Sequence, residues 1–118
     1  MALCVVDIAD MKISDNPADT LITYSLGSCV GVAIYDPVLR LGGMIHCMLP
    51  LSKVDKEKAK IRPYMFVDTG MQLLLGGLYE RGLRKARAVV NVAGGSQVLD
   101  SQGVFKIGER NFTVLRKI

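Results

Sequence analysis

Residues 20–49 read TLITYSLGSCVGVAIYDPVLRLGGMIHCML. The first part, residues 20–26, is rich in Thr, Ile and Tyr, and residues 30–35 continue in the same composition. Both read as strands, because β-branched and aromatic side chains suit a pleated, half-buried surface. Gly27-Ser28-Cys29 joins them. Asp36-Pro37 opens a turn that ends at Gly42-Gly43, and a third strand over residues 44–49 stops at Pro50. The segment predicts an antiparallel meander. Its near-continuous apolar content predicts that both faces are covered.

On the N-terminal side lies a short apolar run over residues 3–8, followed by the turn-forming Ser14-Asp15-Asn16-Pro17. On the C-terminal side, residues 53–62 hold five basic side chains against two acidic ones and read as a solvated loop. Pro63 then suits the first turn of a helix. Phe66, Met71, Leu74, Leu75 and Leu78 approximate one apolar face, and Gly82 supplies the stop. Gly76-Gly77 inside this helix costs about 1 kcal/mol per glycine relative to alanine, which close packing on a sheet would explain. Residues 86–93 read as a buried strand ending at Gly94-Gly95, residues 104–107 as another, and Asn111 as a cap for a short helix beginning at Phe112. The expectation is a single domain over 1–118 of class α+β, with one main helix layered on a mostly antiparallel sheet.

Composition excludes several classes. Of 118 residues, 50% are apolar and 22% charged, which rules out global disorder. The longest uncharged stretch, residues 20–35, is 16 residues long and contains Thr, Ser and Gly, too short and too polar to span a membrane. Residues 1–10 lack a basic region and carry Asp7 within their apolar run, so they do not read as a signal peptide. Three cysteines without a CxxC pair point to a reducing compartment rather than a disulfide framework. A net charge of +4 keeps a small protein soluble and identifies no partner.

Cys29 is the most informative residue. Its small neighbours would let a substrate approach the sulfur, and backbone N–H groups at the Gly27-Ser28 turn can meet a developing oxyanion. A lone cysteine in apolar surroundings is nonetheless more often a small buried hydrophobe. His46, the single histidine, follows 17 residues later on the third strand, within reach of Cys29 in an antiparallel sheet. The competing reading is a core histidine bonded to a carbonyl. Alternation sends His46 to one face with Met44 and Met48, and Cys47 to the other with Ile45 and Leu49. That disfavours a metal site on Cys29, His46 and Cys47, and makes Cys47, and also Cys4, core residues. A thiol–imidazole pair needs a third group to hold the ring. Thr23 offers a hydroxyl, with Ser25, Asp36 and Tyr24 as competitors.

Leu26-Gly27-Ser28-Cys29-Val30-Gly31, Asp36-Pro37 and Met44-Ile45-His46-Cys47-Met48-Leu49-Pro50 together resemble the CheD family of chemoreceptor glutamine deamidases. The likeness continues through Val67-Asp68-Thr69-Gly70, Ala93-Gly94-Gly95-Ser96 and Ile107-Gly108-Glu109-Arg110-Asn111. The resemblance implies a three-layer α/β/β sandwich related to the cytotoxic necrotizing factor-type deamidases. It implies a thiol hydrolase with Cys29 as nucleophile, His46 as its histidine and Thr23 as the orienting residue, with Gly27 and Ser28 in the oxyanion loop. Receptor glutamines would become glutamates through a thioester, and a glutamate methyl ester would be open to the same attack. No metal or organic cofactor is called for. The implied partners are cytoplasmic helices of chemoreceptors and a CheC-like phosphatase, and the implied location is the cytoplasm. The family usually continues with a full helix and further strands, so an uncovered apolar surface is expected here, with an oligomer, a truncated product and a minimal variant as the open readings.

Two rival readings remain at this level. One is a non-catalytic regulator that docks a CheC-like phosphatase or the receptor; the joint presence of Cys29, His46 and Thr23 argues against it. The other is a nucleic-acid binder, drawn from residues 53–62 and 81–87. Those runs lack interleaved aromatics, so no nucleic-acid partner is expected.

Overall fold

The structure, a computed structural model, describes residues 2–94. Its centre is a hairpin of β4 (Val30–Asp36) and β5 (Leu41–Cys47). Their register places Gly31 opposite His46 and Val32 opposite Ile45. Strand β2 (Asp10–Ser14) pairs with β5, and β6 (Val89–Gly94) pairs with β4. The result is a four-stranded antiparallel sheet in the order β2-β5-β4-β6. A separate ribbon joins β1 (Ala2–Val5) and β3 (Asp19–Ile22) in parallel.

One face of the sheet carries Val30, Val32, Ile34, Leu41, Ile45 and Cys47, all buried against Met71, Leu74 and Leu78 of helix α2 (Val67–Glu80). Burying each of the larger side chains contributes roughly 1.5–3 kcal/mol. The helix lies close because glycines meet it: a Cβ at Gly43 would stand 2.7 Å from Leu74, and one at Gly77 would stand 2.7 Å from Ile13. Close packing therefore accounts for Gly77, whereas Gly76 faces open space. On the other face, small residues such as Gly31 and Ala33 lie beneath the chain that follows β3, with Leu26 directly over Gly31. The described residues thus form an α+β unit with a mostly antiparallel sheet and one main helix.

Several expected boundaries are corrected. The segment 20–26 does not form the first strand of a meander. Extended backbone ends at Ile22, Ser25 and Gly27 adopt positive φ, and β3 pairs with β1 instead of β4. The expected turn closing at Gly42-Gly43 closes earlier, at Arg40 with φ 52°, so both glycines lie inside β5. Residues 53–62 are not all loop. Asp55 caps the short helix α1 (Lys56–Ile61) by accepting from the Lys58 amide at 3.0 Å, and the segment stays outside the core. Pro63 opens a separate 3-10 turn ahead of α2, with Phe66 buried at the helix cap, while Gly82 ends the run with φ 100°. The strand expected over 86–93 begins at Val89, and it is exposed rather than buried, β6 standing at the edge of the sheet among the described residues. The expected strand at 104–107 and helix at Asn111 lie outside the described residues.

Two quoted motifs prove to be structural fastenings. Asp36 is fully buried and accepts from Arg87 Nε at 3.0 and 3.1 Å, one to each carboxylate oxygen, and from Nη2 at 2.7 Å. It also accepts from the amides of Val38, Leu39 and Arg84, tying the chain beyond α2 to the end of β4. Asp68, in the first turn of α2, accepts from the Ser52 amide and hydroxyl, and the Thr69 hydroxyl donates to the Pro63 carbonyl at 2.6 Å.

Candidate active site

His46 stands near the end of β5 and is completely buried. Its Nδ1 is 2.8 Å from the Thr23 hydroxyl oxygen. The same hydroxyl donates its only proton to the Val6 carbonyl, at 2.7 Å. Thr23 can therefore only accept from the ring, which places the imidazole proton on Nδ1 and leaves a lone pair on Nε2. Nε2 has no hydrogen-bond partner among the described residues. The His46 carbonyl accepts from the Ala9 amide at 2.9 Å, so the short connection between β1 and β2 holds the residue through both backbone and side chain.

Cys29 sits immediately before β4, two residues ahead of Gly31, the register partner of His46. In the 26–29 turn Gly27 has φ 48°, and the Cys29 amide donates to the Leu26 carbonyl at 2.6 Å. The Cys29 amide is therefore engaged within the turn itself. Burial pushes the Cys29 thiol up from its ordinary value, its own backbone opposing this in part, and burial pushes the His46 imidazole down. Both groups therefore favour their neutral forms.

The competing third groups are placed elsewhere. Asp36 is fastened to Arg87 at the opposite end of β4, and Tyr24 and Ser25 are exposed. Cys47 projects to the α2 side as alternation requires, with its sulfur 3.8 Å from the Phe66 carbonyl and its pKa pushed up to about 12 by burial. Cys4 is only half-buried, on the two-stranded ribbon. Sequence reasoning missed Val6 and Ala9, whose contributions are a backbone carbonyl and a backbone amide. No side-chain pattern could have signalled them.

A cleft of about 140 Å³ beside the site is lined by Thr23, Leu26, Gly31, Met44, Asn91 and Ala93, and it is almost wholly apolar. A wider cleft of about 470 Å³, lined by Leu21, Tyr35, Arg40 and Gly42 among others, contains none of Thr23, Cys29 and His46. The register brings Gly31, two residues beyond Cys29, opposite His46, whereas Cys29 Sγ does not hydrogen-bond Nε2, which has no partner among the described residues.

Comparison with known proteins gives the family. The family model described as CheD chemotactic sensory transduction matches residues 48–118. A protein of Syntrophus aciditrophicus named "Probable chemoreceptor glutamine deamidase CheD 1" is 47% identical over 97% of this chain and 71% of its own length. Relatives from Solibacter usitatus and Anaeromyxobacter dehalogenans, with corresponding names, are 44% and 42% identical over the whole of this chain and 70% and 74% of their own. The chain belongs to the CheD family. The family-model match begins beyond His46, whereas the match to these relatives takes in nearly the full chain or all of it.

Proposed function

We propose that this protein hydrolyses the side-chain carboxamide of specific glutamines on methyl-accepting chemotaxis receptors, giving glutamate and ammonia. Membership of the CheD family supports the reaction class. The observation that carries the mechanism is the Thr23 hydroxyl, committed to the Val6 carbonyl and so able only to accept from His46 Nδ1. The ring's basic nitrogen, Nε2, is then the atom left for catalysis.

Cys29 Sγ attacks the carboxamide carbon as its proton passes to His46 Nε2. The carbonyl π electrons move to oxygen, where backbone donors of the Gly27-Ser28 turn stabilise the oxyanion; one such donor is worth about 3–4 kcal/mol in the transition state. The imidazolium protonates the leaving nitrogen, the C–N bond breaks, and ammonia departs from a thioester. His46 Nε2 next takes a proton from water, whose oxygen attacks the thioester carbon. Collapse of that intermediate breaks the C–S bond, the thiolate recovers its proton, and glutamate is released. Thr23 keeps the ring in one orientation throughout. A glutamate methyl ester enters the same path, with methanol leaving in place of ammonia. The chemistry needs no metal or organic cofactor.

The reading places the protein in the cytoplasm, with receptor cytoplasmic helices as substrate and a CheC-like phosphatase and a second copy of the chain as further partners. It also groups the fold with the cytotoxic necrotizing factor-type deamidases. Each turnover adds a carboxylate to a receptor helix and so changes repulsion between neighbouring helices. The test is ammonia release from a glutamine-bearing receptor cytoplasmic fragment, with wild type and Cys29→Ala in parallel. Release by wild type alone is expected. No release by folded wild type would favour a non-catalytic docking regulator.

A further inference from the structure

The turn that carries Cys29 is closed by a short hydrogen bond, Cys29 amide to Leu26 carbonyl. The end of β6 lies against the turn from outside. Gly94, the register partner of Val30, has φ 90°, and a Cβ built there would collide with the Cys29 carbonyl oxygen. It would also stand 3.3 Å from the Cys29 carbonyl carbon and 3.1 Å from the Leu26 Cβ. These neighbours are backbone atoms and a Cβ, which cannot rotate aside. The other glycines of the region differ. A Cβ at Gly27 would meet nothing within 4 Å, and one at Gly31 would meet first the Leu26 methyl groups, the far end of a flexible side chain.

We propose that Gly94 is a positioning residue for Cys29: lacking a side chain, it lets the end of β6 lie against the Cys29 carbonyl and fixes where the thiol stands relative to His46. The inference rests on the reading of Cys29 as the nucleophile. A thiol displaced by about 1 Å from its attack geometry loses on the order of 10²-fold in rate. The loss falls on the chemical step, because Gly94 touches the nucleophile's backbone and not the reacting atoms.

The test compares Gly94→Ala with Gly82→Ala. Gly82 has a similar left-handed φ of 100°, but a Cβ there would meet only a Leu39 methyl group, at 3.3 Å. It therefore reports backbone strain without contact to Cys29. Two quantities are read per folded molecule: kcat and KM for ammonia release, and the pH-dependent rate of iodoacetamide alkylation followed at Cys29 by mass spectrometry. Gly94→Ala is expected to lower kcat by about 10²-fold at a KM within about threefold of wild type, and to shift the alkylation profile of Cys29. Gly82→Ala is expected to leave both within about twofold while lowering Tm. Equal losses in the two variants, or an unchanged kcat and Cys29 alkylation profile in Gly94→Ala, would overturn the proposal. Should Gly94→Ala not fold, Gly94→Asn introduces the same Cβ at lower cost in the left-handed region and is read identically. If wild type releases no ammonia the deamidase reading fails, and the alkylation profiles alone decide the role of Gly94.

Discussion

The hydroxyl oxygen of Thr23 lies 2.8 Å from Nδ1 of His46, and its proton is spent on the Val6 carbonyl. This arrangement assigns the tautomer of the one histidine in the chain through a hydroxyl, and among the described residues no carboxylate hydrogen-bonds the ring. A threonine does this only when a second acceptor fixes its proton, and the connection after β1 provides that acceptor. The orientation of the ring thus depends on the segments that follow β1 and β3 as much as on the sheet.

Thr23→Val removes the acceptor for Nδ1–H while keeping the shape. The expected result is a kcat lower by about 10²-fold or more, with Thr23→Ser retaining most of the activity. The buried Nδ1–H left unpaired costs about 1–3 kcal/mol of stability. Ammonia-release kinetics and the nitrogen chemical shifts of His46, free of overlap from any other histidine, read both effects. Equal activity in Thr23→Val and wild type would dismiss the orienting role.

The pH profile follows from burial. His46 must be neutral to act as base, and its pKa is lowered from the ordinary 6.5, so the acid limb of kcat/KM falls below pH 6.5. Cys29 is raised from the ordinary 9.0, so its deprotonation sets an alkaline limb above pH 9.0. Alkylation of Cys29 should therefore keep rising beyond pH 9. A plateau already reached near neutrality would mean a preformed ion pair and contradict the neutral resting state.

Asp36 bound to Arg87 has its carboxyl held at about 2, first by the guanidinium hydrogen bonds, against burial. A folded-state value below the ordinary 3.8 means that the unfolded chain binds more protons between these two values. The contribution is thus fully present above about pH 3.8 and lost as pH falls through about 2. Asp36→Asn should lower Tm at neutral pH, with the gap from wild type closing toward pH 2. Activity per folded molecule should be unchanged, because Asp36 lies at the far end of β4 from Cys29. A gap that persists at pH 2 would show that charge is not what the pair contributes.

Gly76 and Gly77 separate propensity from packing. At Gly76 an added Cβ meets nothing within 4 Å, so Gly76→Ala should stabilise by about 0.5–1 kcal/mol. At Gly77 the same methyl group approaches Ile13 Cδ1 to 2.7 Å, so the gain is offset by displacement of Ile13. Urea unfolding of the two variants should rank Gly76→Ala above Gly77→Ala. The reverse order would mean that the helix does not lie on β2 as described.

Strands β4 and β5, the inward face of α2 and the helix stop at Gly82 were legible from local pattern, because alternation and helical spacing are properties of the chain itself. So was the separation of His46 from Cys47, which follows from strand alternation alone. The types of residue at Thr23, Cys29 and His46 were likewise visible, although only a family resemblance singled out Thr23 from its competitors. What tertiary structure alone decided was which backbones meet. The parallel pairing of β1 with β3, the Val6 carbonyl on Thr23, the Ala9 amide on His46 and the collision that excludes a side chain at Gly94 all join residues far apart in the chain. Each acts through main-chain atoms that every residue shares, so no choice of side chain announces them. Asp36 makes the same point from the other side: its carboxylate suits catalysis or fastening equally well, and only the position of Arg87 decides for fastening.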